Sequence, residues 1–482
     1  MHTAPPLTHT AKPIVLGLYT GNVFCDHLFQ KKLFTVLKNT SDSISNLRNV
    51  GSNFQFQKKM RILLLHPNFP AQFRHLATTL ANNPKHQVVF GTMRQQSSIP
   101  GVRKLIYQPS REVHPTTHQY VRNLESAVLQ GQAIYRTAQQ LKAEGFIPDV
   151  VYGHSGWGPT LFIKDIFPKT KLFCYFEWFY HAHGSDADFD PTEPLNADAE
   201  AHIRIKNAPL LLDLYSCDAG LSPTNWQHQQ FPKEFQPKIR VMHDGVDTSF
   251  FHPNPNAKLV LPHLGLDLSQ AEEIVTYATR GMEPYRGFPQ FMEAVSFIQQ
   301  RRPNCHVVVM GEDRIVYGKQ LPDGKTYKQL MLEKLPLDLS RLHFTGSLPY
   351  EQYLQVLQAS SVHIYLTRPF VLSWSMLESM ATGCLIIGSR TAPVMEFIKD
   401  GKNGLLVDLL SSEQIADRVD EVLNQPQHFT ELRANARNTI LQHYDLAKLL
   451  PQHLEWLLGE SSQRIAKLSK IKTKGFGKVV QR

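Results

Sequence analysis

Short apolar runs alternate with stretches of helical periodicity along most of the chain. Ile62-Leu63-Leu64-Leu65 is the first continuous apolar run and is typical of a buried parallel strand. Beyond it, Phe73, Leu76, Ala77 and Leu80 recur at i, i+3, i+4 and i+7, which predicts a helix with one apolar face. The later runs that predict strands lie at residues 149–152, 172–176, 219–222, 239–242, 274–277, 306–310, 342–344, 362–366, 385–387 and 405–407. Helical patterns separate them, among others at residues 118–144, 288–300 and 350–359.

This alternation of strand and helix occurs twice, on either side of residues 251–268, which contain three prolines and read as a linker. Two such series predict an α/β protein with two Rossmann-like, doubly wound parallel sheets. We expect one domain over residues 60–255 and a second over residues 256–440. Residues 1–59 show no sustained periodicity, so we expect a poorly ordered extension before a folded part that begins near Met60.

The ligand of such a protein is expected in the cleft between the domains, at the carboxyl ends of the strands. The first strand ends in His66-Pro67-Asn68-Phe69-Pro70 and carries neither GxGxxG nor a P-loop motif. A bound dinucleotide or P-loop nucleotide needs those glycines because its phosphates approach the backbone closely. A dinucleotide-dependent dehydrogenase and a P-loop ATPase are therefore both disfavoured.

Two arginines mark the first strand of the second half. Arg280 ends this strand, and Arg286-Gly287 follows six residues later. Two guanidinium groups at the carboxyl end of a strand, with a glycine opening the next helix, suit a diphosphate. The alternative is that both are ordinary surface arginines.

The segment from Arg368 to Gly383 is the richest in candidate chemistry. Residues 369–373 are predicted to form a loop, and a helix is predicted from about Ser375 to Thr382. Free backbone N–H groups at the start of that helix favour an anionic or hydroxyl-rich ligand. Glu378, expected in the first turn, can accept hydrogen bonds from a ribose diol. The alternative is a capping box, in which Ser375 and Glu378 satisfy the helix start.

Composition narrows the function classes further. The chain has 482 residues, of which 42% are hydrophobic and 19% charged, as in ordinary globular proteins. Its five cysteines are scattered without a CxxC pair, which disfavours a disulfide framework or a zinc site and favours a reducing cytoplasm. No apolar run is long enough for a membrane-spanning helix.

The formal net charge of +9 is concentrated at the two ends of the chain. Residues 1–59 contribute +5 and residues 461–482 contribute +7, which leaves −3 for residues 60–460. This distribution gives no indication of nucleic-acid binding. The basic tail is most simply a solvated terminus, and peripheral contact with the anionic inner face of a membrane is the alternative.

Several short motifs follow one another in a specific order and spacing. They are Asp244-Gly245-Val246-Asp247, Arg280-x5-Arg286-Gly287, Met310-Gly311-Glu312-Asp313, Phe344-Thr345-Gly346, Leu377-Glu378-Ser379-Met380-Ala381-x-Gly383 and Asp400-Gly401-x-Asn403-Gly404-Leu405-Leu406-Val407. In this combination the chain resembles the retaining glycosyltransferases of family 4, also called glycosyl transferase group 1, which have the GT-B fold. The resemblance covers about residues 60–458 and is strongest over residues 274–408.

The resemblance implies that the second domain binds a nucleoside-diphosphate sugar as co-substrate and that no metal or other cofactor is needed. The residues that it assigns to donor binding are Arg280, Arg286, Gly311, Gly346, Phe370, Val371, Leu372, Ser373 and Glu378. Arg280 and Arg286 would hold the diphosphate and offset the charge on the leaving group, although Arg286 stands where the family usually has Lys. Glu378 would bind the ribose. Phe370 stands where the family has a further Glu that contacts the donor sugar, so this contact falls to the backbone of residues 370–373.

Two residues of the first domain are candidates for catalysis. His154 follows the strand at 149–152, where the family often has its active-site His. Because family members react with retention, by front-face attack, this His would position or polarise a group rather than act as the nucleophile. Glu177, at the end of the strand 172–176, is the second candidate near the sugar. The alternatives are a structural His and a salt-bridged strand terminus.

An acidic cluster, Asp186-Ala187-Asp188-Phe189-Asp190, resembles a DxD metal site or a calcium loop. A calcium loop needs Gly at its sixth position and Glu at its twelfth, where this chain has Pro191 and Ala197. We therefore expect no metal site but an ordered acidic loop near the acceptor.

The hypothesis that follows is a cytoplasmic, metal-independent, retaining glycosyltransferase of the hexosyltransferase type. Its acceptor would be a glycan, a lipid or a small molecule. The resemblance also implies that a terminal helix, within residues 441–460, packs back on the first domain. One alternative is a GT-B-fold protein that binds a sugar nucleotide or glycan without transfer, which Phe370 motivates. A phosphorylase-like or epimerase-like enzyme is disfavoured, because no lysine lies in a recognisable pyridoxal-phosphate setting.

Overall fold

The computed structural model describes residues 59–459, so the expectations for the extension before residue 59 and for the basic tail lie outside the described residues. Within that range the chain forms a seven-stranded sheet, a six-stranded sheet and a short two-stranded pair. The two large sheets are parallel and alternate with helices, which confirms the predicted fold class. No helix of the described part is long and apolar enough to cross a membrane.

The first sheet contains the seven strands β1 (Arg61–Leu65), β2 (Gln87–Thr92), β3 (Val102–Ile106), β4 (Val150–His154), β5 (Lys171–Tyr175), β6 (Ala219–Ser222) and β7 (Ile239–Val241). Their order in the sheet is β3-β2-β1-β4-β5-β6-β7. Leu64 of the central strand pairs with Phe90 on one side and Tyr152 on the other. The apolar residues of β1 are completely buried, as expected of a central strand that is covered on both faces.

The helices of the first half lie between these strands. They are α1 (Arg74–Ala81), α2 (Arg122–Ala143), α3 (Ile163–Ile166), α4 (Ala197–Lys206), α5 (Ala208–Ser216) and α6 (Asn225–Gln229). Helix α1 agrees with the predicted helix and buries Leu76, Ala77 and Leu80, whereas Phe73 lies in the 3-10 turn before it. Strands β2 and β3 were not expected from the sequence. The apolar run of β2 is only three residues long, and β3 is an edge strand in which Arg103 is exposed.

The segment predicted as a linker, residues 251–268, carries the antiparallel strands β8 (Val260–Leu261) and β9 (Leu266–Asp267). The second sheet follows, with β10 (Ile274–Gly281), β11 (His306–Glu312), β12 (Leu342–Gly346), β13 (Val362–Tyr365), β14 (Ile386–Ser389) and β15 (Leu405–Val407). Their order in the sheet is β12-β11-β10-β13-β14-β15. The strand β10 that carries Arg280 is therefore central, and its carboxyl end lies between those of β11 and β13.

The helices of the second half are α7 (Phe288–Arg301), α8 (Tyr327–Lys334), α9 (Tyr350–Gln358), α10 (Trp374–Thr382), α11 (Ala392–Met395), α12 (Ser412–Asn424), α13 (Thr430–His443) and α14 (Leu446–Leu458). The last of them contacts the first sheet. The ring of Trp456 lies 5.5 Å from that of Tyr152 and 4.7 Å from that of Phe173, centroid to centroid. Two backbone hydrogen bonds of 2.8 Å also join Val246 to the residues around the start of α14. The domain boundaries themselves stay predictions.

We expect Gly158→Ala to destabilise the fold far more than Gly145→Ala. Both glycines have positive φ, +105° and +84°, so either alanine is strained by about 1–2 kcal/mol. A Cβ at residue 158 would also lie 1.9 Å from the Ala127 carbonyl oxygen, whereas one at residue 145 meets nothing within 4 Å. The close contact adds roughly 1–3 kcal/mol to the loss at residue 158. Urea unfolding of both variants measures the difference, and equal losses would contradict it.

Candidate functional site

The two arginines expected at the diphosphate lie in different surroundings. Arg280, near the end of β10, is exposed, and its guanidinium makes no hydrogen bond or ion pair with any residue in the range 59–459. Arg286, in a 3-10 turn after β10, is only 6% exposed. Its Nη1 donates to Thr367 Oγ1 at 2.8 Å and to the Val371 carbonyl at 2.9 Å. Arg280 is therefore open to a ligand, whereas Arg286 holds the loop that precedes α10.

Glu283 supports this arrangement and was missed by the sequence analysis. It is completely buried, and its carboxylate accepts the backbone N–H groups of Val316, Tyr317 and Gly318 at 2.8–3.0 Å. These bonds fix the Tyr317 ring 5.3 Å from the Arg286 guanidinium, as a cation–π contact. No local pattern identifies a lone Glu before a proline as the anchor of a loop more than 30 residues away.

The loop before α10 contains two backbone donors without an acceptor among the described residues. The amides of Val371 and Leu372 donate no hydrogen bond to another group of the described chain. The next amide, that of Ser373, donates to the Tyr365 hydroxyl at 2.8 Å. Unpaired amides at the start of a nine-residue helix favour an anion.

The start of α10 differs from the prediction. The cap is Ser373, whose hydroxyl accepts the Ser375 amide, and the helix begins at Trp374 rather than near Ser375. Glu378 is the fifth helical residue, so it lies in the second turn and not the first. The capping box of Ser375 and Glu378 is therefore wrong, and the Glu378 side chain is not used to cap its own helix.

Glu378 is a buried carboxylate with neutral neighbours. Burial raises its pKa to about 7, although the hydroxyls of Tyr353 and Tyr350 pull the pKa in the opposite direction. Arg74 of α1 lies over the Tyr350 ring at 5.5 Å, which brings the first half of the chain to the same place. Such a carboxylate gains most from a ligand that offers hydroxyl donors.

The two predicted glycines differ in their role. Gly311, at the end of β11, has φ +133°, and a Cβ there would lie 1.9 Å from the Thr279 carbonyl oxygen. Only glycine allows β11 to pass β10 this closely. Gly346, at the end of β12, has φ +67° and faces open space.

Phe370 belongs to an aromatic cluster that joins the two halves of the chain. Its ring is buried and lies 5.1 Å from Trp178, 5.4 Å from Tyr285 and 5.1 Å from Tyr317. Its carbonyl accepts the indole N–H of Trp226 at 3.2 Å. Trp178 and Trp226 belong to the first half, so this side chain makes interdomain contacts with apolar surface rather than offering a carboxylate.

The structure brings His154 and Glu177 together at the ends of adjacent strands β4 and β5. His154 Nε2 and Glu177 Oε2 are 3.6 Å apart, and His154 Nδ1 bonds the Ser155 carbonyl at 2.9 Å. Burial acts to raise the pKa of Glu177. The hydrogen bond and charge of His154, with the charges of Arg280 and Arg286, outweigh it and lower this pKa below its usual value. Glu177 is therefore held as a carboxylate that faces the arginines of the second half.

Two further residues support this pair and were not selected from the sequence. His66, at the end of β1, accepts the Asn68 amide on Nδ1 at 2.8 Å, and its ring meets that of His154 edge-on at 4.9 Å. Burial and the charge of His154 lower the pKa of His66 well below 6.5, so it stays neutral. Asp213 of α5 accepts the Ser155 hydroxyl at 2.7 Å and so fixes the loop after β4.

The acidic loop lies between the two halves of the chain. Asp186 accepts the Tyr285 hydroxyl at 2.9 Å. Arg368 pairs with Asp190 at 3.3 Å and with Glu193 at 3.2 Å. Within residues 59–459, no three His, Cys, Asp or Glu side chains are grouped so that they could hold a metal ion. Asp186 and Asp190 thus serve interdomain contacts, whereas Asp188 accepts the Gly184 amide at 3.0 Å within the loop itself.

Family models match most of the described part of the chain. A model described as "Glycosyl transferase family 4 group" matches residues 84–251, and one described as "Glycosyl transferases group 1" matches residues 267–439. The two matches follow one another and fall on the first and second sheets.

Curated relatives are distant. D-inositol 3-phosphate glycosyltransferase of Corynebacterium urealyticum is 24% identical over 228 residues, which are 44% of this chain and 52% of that protein. Lipopolysaccharide core biosynthesis glycosyltransferase LpsE of Rhizobium meliloti is 26% identical over 178 residues, which are 35% of this chain and 49% of that protein. The chain thus spans about half the length of the curated relatives that it matches.

Solved structures share the fold over most of the chain. Anabaena HepE, crystallised with UDP and glucose, aligns with a TM-score of 0.60 at 16% identity, over 83% of this chain and 100% of that one. Sucrose-phosphate synthase of Thermosynechococcus elongatus aligns with a TM-score of 0.60 at 14% identity, over 82% of this chain and 98% of that one. At such identities the likeness establishes the architecture of two parallel-sheet domains.

The different surroundings of the two arginines predict different losses of stability. Arg286→Ala removes two buried hydrogen bonds and leaves their oxygens unpaired, so we expect the free energy of unfolding to fall by roughly 1–3 kcal/mol. Arg280→Ala removes no bond within the described chain and should leave this free energy unchanged. Arg286→Lys, which keeps the charge but not the planar fork, should lie between them. Guanidinium unfolding of the three variants is the measurement, and a loss in Arg280→Ala as large as in Arg286→Ala would contradict the assignment.

Proposed function

The chain belongs to the family 4, group 1 glycosyltransferases, and we propose that it transfers a sugar from a nucleoside-diphosphate sugar to an acceptor hydroxyl with retention and without a metal. The observation that carries this proposal is the exposed, unpaired Arg280 at the carboxyl end of β10, in the second domain with the unpaired amides of Val371 and Leu372. A guanidinium and free amides match the charge of a diphosphate and not that of a neutral sugar.

The diphosphate is the leaving group of the proposed reaction. Its bond to the anomeric carbon breaks while the bond from the acceptor oxygen forms, and the acceptor proton passes to an oxygen of the departing phosphate. Arg280 stabilises the charge that develops there, and Arg286 keeps the loop of Val371 in place. This is the basis for proposing that the protein needs neither a metal nor another cofactor.

The nucleoside is assigned to Glu378. A ribose diol would supply hydroxyl donors to this buried carboxylate, whose pKa the nearby hydroxyls of Tyr353 and Tyr350 lower only in part. A charge-assisted hydrogen bond to each ribose hydroxyl would favour the ionised carboxylate and lower its pKa. The crystals of HepE with UDP and of HepE with UDP-glucose support a uridine donor as the first candidate.

His154 and Glu177 are assigned to the sugar and the acceptor. The Nδ1 bond to the Ser155 carbonyl orients the His154 ring, so that Nε2 faces Glu177. The pair would orient a hydroxyl of donor or acceptor, with no covalent intermediate on either residue. A glycan, lipid or small molecule remains the proposed acceptor class, and membrane contact through the basic tail concerns residues outside the described range.

A second function, sugar-nucleotide binding without transfer, is favoured by one observation. Phe370 places an aromatic ring, and no carboxylate, at the start of the loop that precedes α10. A protein of this kind would bind a donor and leave it intact. Donor binding and donor turnover must therefore be measured separately.

We expect one member of a panel of UDP-, GDP- and ADP-sugars to raise the melting temperature of the full chain and to release its nucleoside diphosphate when acceptors are present. Glu378→Ala and Arg280→Ala should each lower kcat/KM by roughly 10- to 100-fold, because each removes a charge-assisted contact. Thermal shift and a coupled assay for free diphosphate are the measurements.

Arg103→Ala is the matched control for Arg280→Ala, since Arg103 is exposed in β3 and pairs only with Glu144 among the described residues. It should leave kcat/KM unchanged. Stabilisation without release in any acceptor mixture would favour the binding protein. No stabilisation by any donor would contradict both functions.

A further inference from the structure

Asp244 makes a contact between the two domains that none of the roles above uses. It follows β7, and its Oδ2 accepts two hydrogen bonds from different parts of the fold. The Tyr175 hydroxyl, at the end of β5, donates at 3.0 Å, and the indole N–H of Trp374 donates at 2.9 Å. Trp374 is the first residue of α10, the helix that carries Glu378. One carboxylate oxygen therefore ties the proposed donor helix to the first sheet.

The surroundings of Asp244 supply no positive partner for its charge. No Lys or Arg of residues 59–459 forms an ion pair with it. A cavity of about 20 Å³, room for a single water molecule, adjoins it. This cavity is also lined by Gln72 just before α1, His75 of α1, Tyr152 of β4 and His453 of α14. Asp244 is partly buried, so its carboxylate is shielded from part of the bulk water.

The titratable groups that face Asp244 do not compensate for this desolvation. Glu177 of the β5 end has the same charge and repels it, whereas His154 of the β4 end stabilises it only weakly. Tyr175 and Tyr152 have raised pKa values and stay neutral, and burial lowers the pKa of His453, on α14, to about 4 and also lowers that of His75, on α1. The sum of these effects raises the pKa of Asp244 to about 7, mainly through burial.

Part of this burial exists only while the two domains are in contact, because Trp374 comes from the second domain. Separation of the domains would expose the carboxylate to water and remove one of its two donors. Its affinity for a proton would then fall towards that of an ordinary aspartate. By linkage, a group that binds a proton more tightly in one arrangement favours that arrangement at low pH.

We propose that Asp244 is a positioning residue that holds the donor helix α10 against the first domain through Trp374, and that it takes up a proton as the domains close. The protonated carboxyl still accepts both hydrogen bonds through its carbonyl oxygen, without the cost of a partly buried charge beside Glu177. The contribution of this proton to closure is present in full below the pKa of an ordinary aspartate and is lost as the pH rises to about 7. The effect on catalysis rests on the proposed function, whereas the effect on Trp374 does not.

Asp244→Asn is the decisive variant, because asparagine keeps the shape and a carbonyl acceptor but cannot ionise. We expect the tryptophan emission of the full chain to change between pH 5.5 and 8.5 with a midpoint near 7. This transition should be absent in Asp244→Asn and in Trp374→Phe. It should persist in Glu378→Gln, which removes the other carboxylate whose pKa is about 7.

The kinetic arm uses whichever donor the panel identifies. Relative to Asp244→Asn, the KM of the wild-type protein for the donor should rise by up to about tenfold per pH unit between pH 5.5 and 7 and level off above 7, with kcat changing much less. Asp244→Asn should lack this contribution because asparagine cannot ionise, and it retains the separate pH dependence that Glu378 gives to donor binding. Asp244→Ala should have a higher KM than Asp244→Asn at every pH. Urea unfolding at pH 6 confirms that the variants are folded before either arm is interpreted.

The two arms separate failure of this proposal from failure of the proposed function. An emission transition that persists unchanged in Asp244→Asn overturns the proposal. A donor KM that depends on pH in the same way in Asp244→Asn and in the wild type overturns it as well. If no donor is turned over, the proposed function fails, and the emission titration alone decides the role of Asp244.

Discussion

The burial of charge between the two parallel sheets is the constraint on which the rest of the site depends. Glu283, Arg286 and Arg368 are each less than 10% exposed, so each needs partners that replace water. Glu283 accepts hydrogen bonds from three backbone amides, Arg286 donates to two oxygens, and Arg368 pairs with two carboxylates. Asp244 and Glu378 have only neutral donors, and these are the carboxylates whose pKa rises to about 7. The groups left without a charged partner are therefore those able to respond to a ligand or a proton.

The sequence predicts the fold well where one residue pattern decides the structure. The four-residue apolar run of β1 is sufficient to identify a central strand, because no exposed strand is apolar on both faces. The same reasoning fails for β3, an edge strand that exposes Arg103, and for the first residue of α10. The loop in front of α10 decides which serine caps the helix. Ser373 is the cap rather than Ser375, because the Ser373 amide already donates to the Tyr365 hydroxyl.

In the candidate site, too, residues could be predicted only where a local sequence pattern identifies them. His154 and Glu177 could be selected because each ends a recognisable strand, and parallel strands bring their carboxyl ends to one edge. Their mutual distance of 3.6 Å could not be predicted, since it depends on how β4 and β5 are aligned. Asp244 could not be selected for its contact with Trp374, which is 130 residues away along the chain. Local sequence contains no signal for a partner at that separation.

The aromatic cluster around Phe370 shows why domain contact and ligand binding cannot be independent in this protein. Phe370 packs on Trp178 of the first domain, and two residues later the Leu372 amide donates no hydrogen bond to another described group. Moving the domains apart would free the loop that carries both groups, and an anion bound at the amide would hold that loop in place. Since the coupling of two equilibria is reciprocal, a ligand that orders residues 370–373 must also favour the contact with Trp178. The ring at residue 370 thus gives the loop a second attachment, in the first domain, where a carboxylate would have given a contact to the ligand alone.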